Sequence, residues 1–281
     1  MRNGLVLFTS DRGITPARAA KAGEDAGFDT FYVPEHTHIP IKRDAAHPGT
    51  GDETLPDDRY LRTLDPWVSL ATAAAVTERI RLSTAVSLPV ESDPITLAKS
   101  VATLDHLSGG RVTIGAGFGW NTDELADHHV PAGKRRTVLR EYLEAMRALW
   151  TQEEASYAGE FVNFGASWAW PKPVQDHLPV VIGAGAGPKT FAWIAANADG
   201  WMTTPIETEI AERCRHLHRA WADAGRAGAP QIHVLITMRP SPDDLAAWAD
   251  AGVTDLIWGI PDKSADEAAG AIGRLGERLK L

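Results

Sequence analysis

Eight times along this chain a short, apolar, β-rich run is followed by a stretch of helical periodicity, and that alternation restricts the fold more than any other feature. The runs fall at residues 5–8, 28–33, 80–86, 112–115, 180–182, 200–203, 232–237 and 253–258. Helices are expected at 16–27, 66–77, 94–107, 135–150, 188–198, 208–224, 243–251 and 264–279. The first opens at Thr15-Pro16, an N-cap followed by proline at the first helical position. Such alternation builds a parallel α/β sheet, and eight strand–helix pairs are the count of a closed (β/α)8 TIM barrel. We therefore expect one such domain over residues 1–281, with a small hairpin insertion at 155–164 before the fifth strand. Residues 38–61 break the pattern with a polar segment rich in Pro, Gly and Asp. Following the second strand, this loop would hang over the catalytic face of a barrel, as a lid or substrate loop.

Composition narrows the partners. There are 28 Lys and Arg against 37 Asp and Glu, a net charge of −9, which disfavours nucleic acid and anionic membrane surfaces. A local basic pocket for a phosphate remains compatible with that balance. The single cysteine, Cys214, forms no internal disulfide and fits a reducing compartment. The apolar stretch near the N-terminus is short for a signal segment, and no run approaches the roughly 20 apolar residues that span a bilayer. The expectation is a soluble, cytoplasmic protein acting on a small molecule.

Three segments carry the chemistry. Residues 103–121, TLDHLSGGRVTIGAGFGWN, read as a helix end, a Gly109-Gly110 stop, a strand, and an exit spaced by Gly115, Gly117 and Gly119 into Trp120 and Asn121. Alternating glycines leave no side chains at the strand end, so a flat group can lie against the backbone. Residues 180–190, VVIGAGAGPKT, run from a strand through a small-residue loop into a helix, and free N–H groups there suit an anion. Pro34-Glu35-His36 ends the second strand, where an imidazole can move a proton at neutral pH. In these strings, and in the Ala198-Asp199-Gly200-Trp201 that follows the anion loop, the chain resembles the luciferase-like monooxygenase family. Those are bacterial flavin- and coenzyme F420-dependent enzymes built on a TIM barrel.

The resemblance implies a cofactor ring between the ends of strands three and four, over Gly117, Phe118, Gly119, Trp120 and Asn121. It implies that Thr84, Ala85 and Val86 face the ring, with a cis bond at Ala85-Val86, and that Gly183, Ala184, Gly185, Ala186 and Gly187 hold the phosphate. Glu35-His36 matches the acidic-His pair of F420-dependent members, which puts both beside the ring and makes His36 the catalytic proton carrier or a stabiliser of substrate charge. That pair, the length and the Ala-, Arg- and Trp-rich composition favour coenzyme F420 over FMN. The implied reaction is hydride transfer between the deazaflavin and a small organic substrate. FMN-dependent monooxygenation and non-catalytic flavin or F420 binding are the alternatives, and the family commonly forms homodimers. A barrel taking a sugar phosphate without coenzyme is weaker, because it leaves the glycine exit and Trp120 without a role.

Two departures stand out. The family's F420-linked sugar phosphate dehydrogenases carry a general-acid glutamate directly after the glycine exit, where this chain has Trp120. They also have a tryptophan shortly after the histidine, where this chain has Ile39 and Pro40, so sugar-6-phosphate oxidation by that mechanism is not expected. Glu35-His36-Thr37-His38 lacks further ligands at zinc spacing, and no metal is expected. Cys214, His216 and His218 are read as lying on a helix facing away from the mouth, and His128-His129 as a solvated loop pair. Trp168 and Trp170 either wall a pocket or pack the outer layer.

Overall fold

The computed structural model describes residues 1–281. In chain order its elements are β1 (Arg2–Val6), α1 (Pro16–Asp25), β2 (Thr30–Val33), α2 (Pro66–Ala74), β3 (Arg81–Thr84), α3 (Pro94–Ser108) and β4 (Val112–Gly117). Then come α4 (Thr122–Asp127), α5 (Arg135–Thr151) and the strands β5 (Ala155–Ala158) and β6 (Asn163–Ser167). The rest are β7 (Val180–Gly183), α6 (Pro188–Asn197), β8 (Gly200–Met202), α7 (Ile210–Asp223), β9 (Gln231–Ile236), α8 (Pro242–Asp250), β10 (Asp255–Gly259) and α9 (Ala265–Leu279). The sheet is a closed barrel in the order β1-β10-β9-β8-β7-β4-β3-β2, all parallel, while β5 and β6 pair antiparallel outside it. This is a TIM barrel.

Side-chain alternation along each strand divides the core in two. Tyr32, Val181, Met202 and Ile257 fill the barrel interior with Val6, Val86 and Leu235 packed around them. Their neighbours Phe31, Val33, Val180, Ile182, Trp201 and Leu256 belong to the larger layer between sheet and helices. Strands buried on both faces have to be apolar throughout, which is why they stand out as runs. Asp65 and Asp93 cap α2 and α3, each followed by proline, and each accepts a backbone N–H at 2.8 Å. The Gly-Gly stop behaves as expected: Gly109 and Gly110 take φ of +70° and +83°.

The barrel floor is polar. Arg2 grips Asp255 with two bonds of 2.9 and 2.8 Å, and His233 Nε2 lies 3.2 Å from the same carboxylate. Tyr32 Oη is 3.3 Å from His233 Nδ1. Burial pushes His233 down to about 4, so it is neutral at pH 7, and Arg2 is the cation that balances Asp255.

Several boundaries differ from expectation. The first strand begins at Arg2 and not at residue 5, because the polar start of the strand is recruited by the floor network. The hairpin extends to Ser167, its second strand pairing through largely exposed residues with no apolar signature. Helix α4 was not expected. Trp168 walls a mostly apolar outer groove between α3 and α5, the first of the two readings, and Trp170, two positions on, lies outside the lining; the two are 73% and 58% exposed. Cys214 faces inward among core residues with its thiol pushed up to about 12 by burial, and His218 Nε2 lies 3.2 Å from the Ala251 carbonyl oxygen. No helix is long and apolar enough to cross a membrane.

Candidate active site

The site is built around the end of β3, where the Ala85-Val86 bond is cis. A Cβ on Gly115 would stand 1.9 Å from the Thr84 carbonyl oxygen. One on Gly117 would stand 2.7 Å from Val86 Cγ2, and one on Gly183 2.4 Å from Val86 Cγ1. The glycine exit therefore makes room first for the protein's own bulged strand, which corrects its reading as an open shelf. Thr84 is fully buried with its hydroxyl donating to the Gly115 carbonyl at 2.7 Å and accepting the Gly115 N–H at 3.1 Å. It shapes the bulge and offers no free hydroxyl. Gly119 turns at φ +77° over Leu125, and Phe118 is buried with its ring centroid 4.9 Å from that of Trp193.

Glu35 is likewise a brace. Its carboxylate accepts the Leu88 N–H at 2.6 Å and its own N–H donates to the Val86 carbonyl at 3.0 Å, so it holds the bulge from beneath. Burial pushes its carboxyl up to about 7.

His36, the next residue, reaches across to α4. Its Nδ1 is 2.8 Å from Glu124 Oε2, with side-chain exposures of 7% and 0%. The other Glu124 oxygen accepts the Thr37 N–H at 3.0 Å. With Nδ1 committed to the carboxylate, Nε2 is the ring nitrogen left without a protein partner, and the ring sits among aromatic side chains. Tyr60 and Trp120 lie 5.5 and 5.7 Å from the imidazole, and His47 packs on Trp120 at 5.0 Å and bonds Tyr60 Oη at 3.0 Å. Tyr60 and His47 come from the 38–61 loop, which folds over the mouth and is tied to α4 through Asp123, acceptor of the Asp44 and Ala45 N–H groups at 3.0 Å each. Trp120 is thus a wall of the enclosure.

Glu91 completes a cluster of three buried carboxylates. It touches Thr37 Oγ1 at 3.4 Å, and its Oε1 has no partner. Burial first, then the charges of Glu124 and Glu35, push its carboxyl up to about 9, whereas the bond to His36 and the backbone donors hold Glu124 low despite burial. The extra proton resides on Glu91 and the charge on Glu124. His38 turns to Asp127 at 2.9 Å, away from His36, and His128 is no free loop residue, with Nε2 2.7 Å from Thr37 Oγ1.

The loop from Gly183 to Gly187 abuts Val86 through Gly183. The Ala198-Asp199-Gly200-Trp201 string shapes it: Asp199 accepts the Val180 N–H at 2.9 Å, and buried Trp201 donates Nε1–H to the Ala184 carbonyl at 2.8 Å. Gly200 is required because a Cβ there would stand 2.2 Å from the Gln231 carbonyl. Ala186 N–H donates to the Glu207 carboxylate at 2.7 Å, so an anion already rests on this loop. Asn121 caps α4, and its buried Nδ2 has no partner.

The structure thus gathers Glu35, His36, Thr84, Ala85, Val86, Gly117, Gly119, Trp120, Asn121 and Gly183 around the strand ends, with the 183–187 loop alongside. Sequence reasoning missed Glu124, Glu91, Tyr60 and His47. Asn121-Thr122-Asp123-Glu124 was the available signal, an N-cap with acidic residues in the following turn.

The luciferase-like monooxygenase family model matches residues 15–281, and the chain belongs to that family. It is 68% identical to an uncharacterized Mycobacterium tuberculosis protein, over 99% of both chains. It is 30% identical to an F420-dependent glucose-6-phosphate dehydrogenase of Nakamurella multipartita, over 67% of this chain and 51% of that protein. A solved F420-dependent secondary alcohol dehydrogenase, in complex with an F420-acetone adduct, shares the fold with a TM-score of 0.74 at 17% identity, over 99% of this chain and 98% of that one.

Proposed function

We propose that this protein is a coenzyme F420-dependent oxidoreductase that moves a hydride between the deazaflavin and a small apolar organic substrate, with His36 carrying the proton. The observation that carries the reading is the His36–Glu124 pair, which leaves Nε2 without a protein partner on a ring set against Tyr60 and Trp120, with His47 packed on both.

The residues fit such a cofactor. Asn121 has an orphan amide donor, and the Glu207 carboxylate on Ala186 N–H stands where a phosphate oxygen would be accepted. The 183–187 loop would hold the phosphate, and Val86 with the β4 exit would lie under the ring. When bound, the deazaflavin supplies a hydride donor or acceptor. The chain does the rest. Glu124 fixes the imidazole and its tautomer, so a substrate oxygen or nitrogen in the enclosure meets Nε2. During reduction Nε2–H gives its proton to that atom, and during oxidation neutral Nε2 takes it. The half-buried aromatic walls displace water and favour an apolar substrate.

Substituting His36→Ala tests this. Turnover should fall by about 10²- to 10⁴-fold while cofactor affinity holds, since a general acid–base contributes on that order. Unchanged turnover would remove His36 from the proton transfer, whereas cofactor binding with no turnover in the parent protein would favour a non-catalytic binder. Binding of FMN alone would move the chemistry to oxygen-dependent monooxygenation.

A further inference from the structure

Resting on the reading above, we propose that the Tyr60 hydroxyl is a second hydrogen-bonding group for the substrate beside His36, and that the two together select a carbonyl or carbinol oxygen. Tyr60 belongs to the 38–61 loop, and its ring packs on His36 at 5.5 Å and on Phe8 at 4.7 Å between centroids. Where its proton is free to go is decided by His47, in the same loop.

The Gly49 N–H donates to His47 Nδ1 at 3.1 Å, in a turn closed by the Gly51 N–H on the His47 carbonyl at 2.8 Å. A ring nitrogen that accepts carries no proton. Burial first, then the charges of His36 and Arg43, hold His47 below the ordinary histidine range, so the ring is neutral. Its one proton therefore sits on Nε2, which lies 3.0 Å from Tyr60 Oη. His47 is the donor of that bond and Tyr60 the acceptor. The Tyr60 oxygen has no other partner in the protein, and burial pushes the phenol up, so its O–H is intact and unspent. His36 Nε2 is unspent as well. Two free polar groups thus stand on two rings in contact.

The acceptor that suits both is an oxygen. A carbonyl oxygen has two lone pairs and takes a bond from each group, whereas an imine nitrogen has one lone pair and takes a single bond. In reduction the ketone carbon takes the hydride from the reduced deazaflavin and its oxygen takes the Nε2 proton. In oxidation the carbinol carbon returns the hydride to the oxidised deazaflavin and the hydroxyl proton passes to neutral Nε2. In both directions Tyr60 keeps its own proton and donates a hydrogen bond to the oxygen, so it sets specificity while His36 moves the proton.

The test uses the F420-loaded protein and two probes of one shape, cyclohexanone and methylenecyclohexane, in which a CH₂ group replaces the oxygen. Affinity is followed by tryptophan emission in the parent protein, Tyr60→Phe and His47→Leu, and the carbonyl stretch of bound cyclohexanone by infrared spectroscopy. Tyr60→Phe should weaken the ketone about 10-fold, the range for one lost hydrogen bond at a half-buried site. It should leave the alkene unchanged and raise the carbonyl frequency, because one donor has gone. His47→Leu frees the hydroxyl from its anchor, and its loss should fall between. Equal losses for ketone and alkene would make Tyr60 a packing wall and overturn the proposal. An unchanged ketone affinity and carbonyl frequency in Tyr60→Phe would overturn it too, as would a loaded parent protein that takes no ketone at millimolar concentration; all three leave the oxidoreductase reading standing. If F420 does not load, that reading fails and the oxygen selection fails with it. Should Tyr60→Phe not fold, His47→Leu decides by the same comparison.

Discussion

One nitrogen of His36 is committed to Glu124 and the other has no protein partner, and most of the site's proposed chemistry follows from that asymmetry. Glu124→Gln keeps the shape and discards the charge. It should lower kcat by about 10- to 100-fold and shift the pH profile, with cofactor affinity unchanged. A loss confined to thermal stability would make Glu124 structural only. Glu91 offers a separate check on the carboxylate cluster. Its carboxyl titrates at about 9 in the fold against 4.5 in the open chain. A raised value means that the folded state holds the proton more tightly. The contribution is complete below pH 4.5, erodes as pH climbs, and is gone above about 9. Melting temperatures across that window should fall more steeply in the parent protein than in Glu91→Gln. Parallel curves would show that Glu91 is ionised in the fold.

At the scale of elements, the close approach of β3 and β4 is what the glycines protect. Gly115→Ala would push a methyl group to 1.9 Å from a backbone oxygen, where no rotamer change relieves it. We expect a loss of about 3 kcal/mol or more by thermal or chemical denaturation, at the upper end for overpacking. Gly187→Ala is the control: no atom lies within 4 Å of its Cβ and its φ of 166° is extended backbone, so stability should be unchanged. Equal effects at both positions would refute the packing account. Gly115 and Gly117 were visible in the sequence, but their purpose was not, because the groups they accommodate, Thr84 and Val86, lie at the end of the neighbouring strand. Helix α4 was hidden for another reason. It is a six-residue element with only Leu125 and Glu124 buried, too short to show a periodicity, yet it delivers the carboxylate that orients His36.

For the whole molecule, the barrel was legible because strands covered on both faces must be apolar runs and helices between them must be amphipathic. The floor network was not, since Arg2 and Asp255 are 253 positions apart and each looks like an ordinary strand-end polar residue. The 38–61 loop was recognisable as an interruption over the mouth, while Tyr60 and His47 became site residues only once the loop was folded onto Trp120. The central claim, a deazaflavin seated over Val86 with its phosphate by the 183–187 loop, is tested most directly by titrating the purified protein with coenzyme F420 and, separately, FMN, following tryptophan emission. The account predicts saturable F420 binding at micromolar or lower concentration with FMN much weaker. Failure of F420 to bind, or tighter binding of FMN, would contradict it.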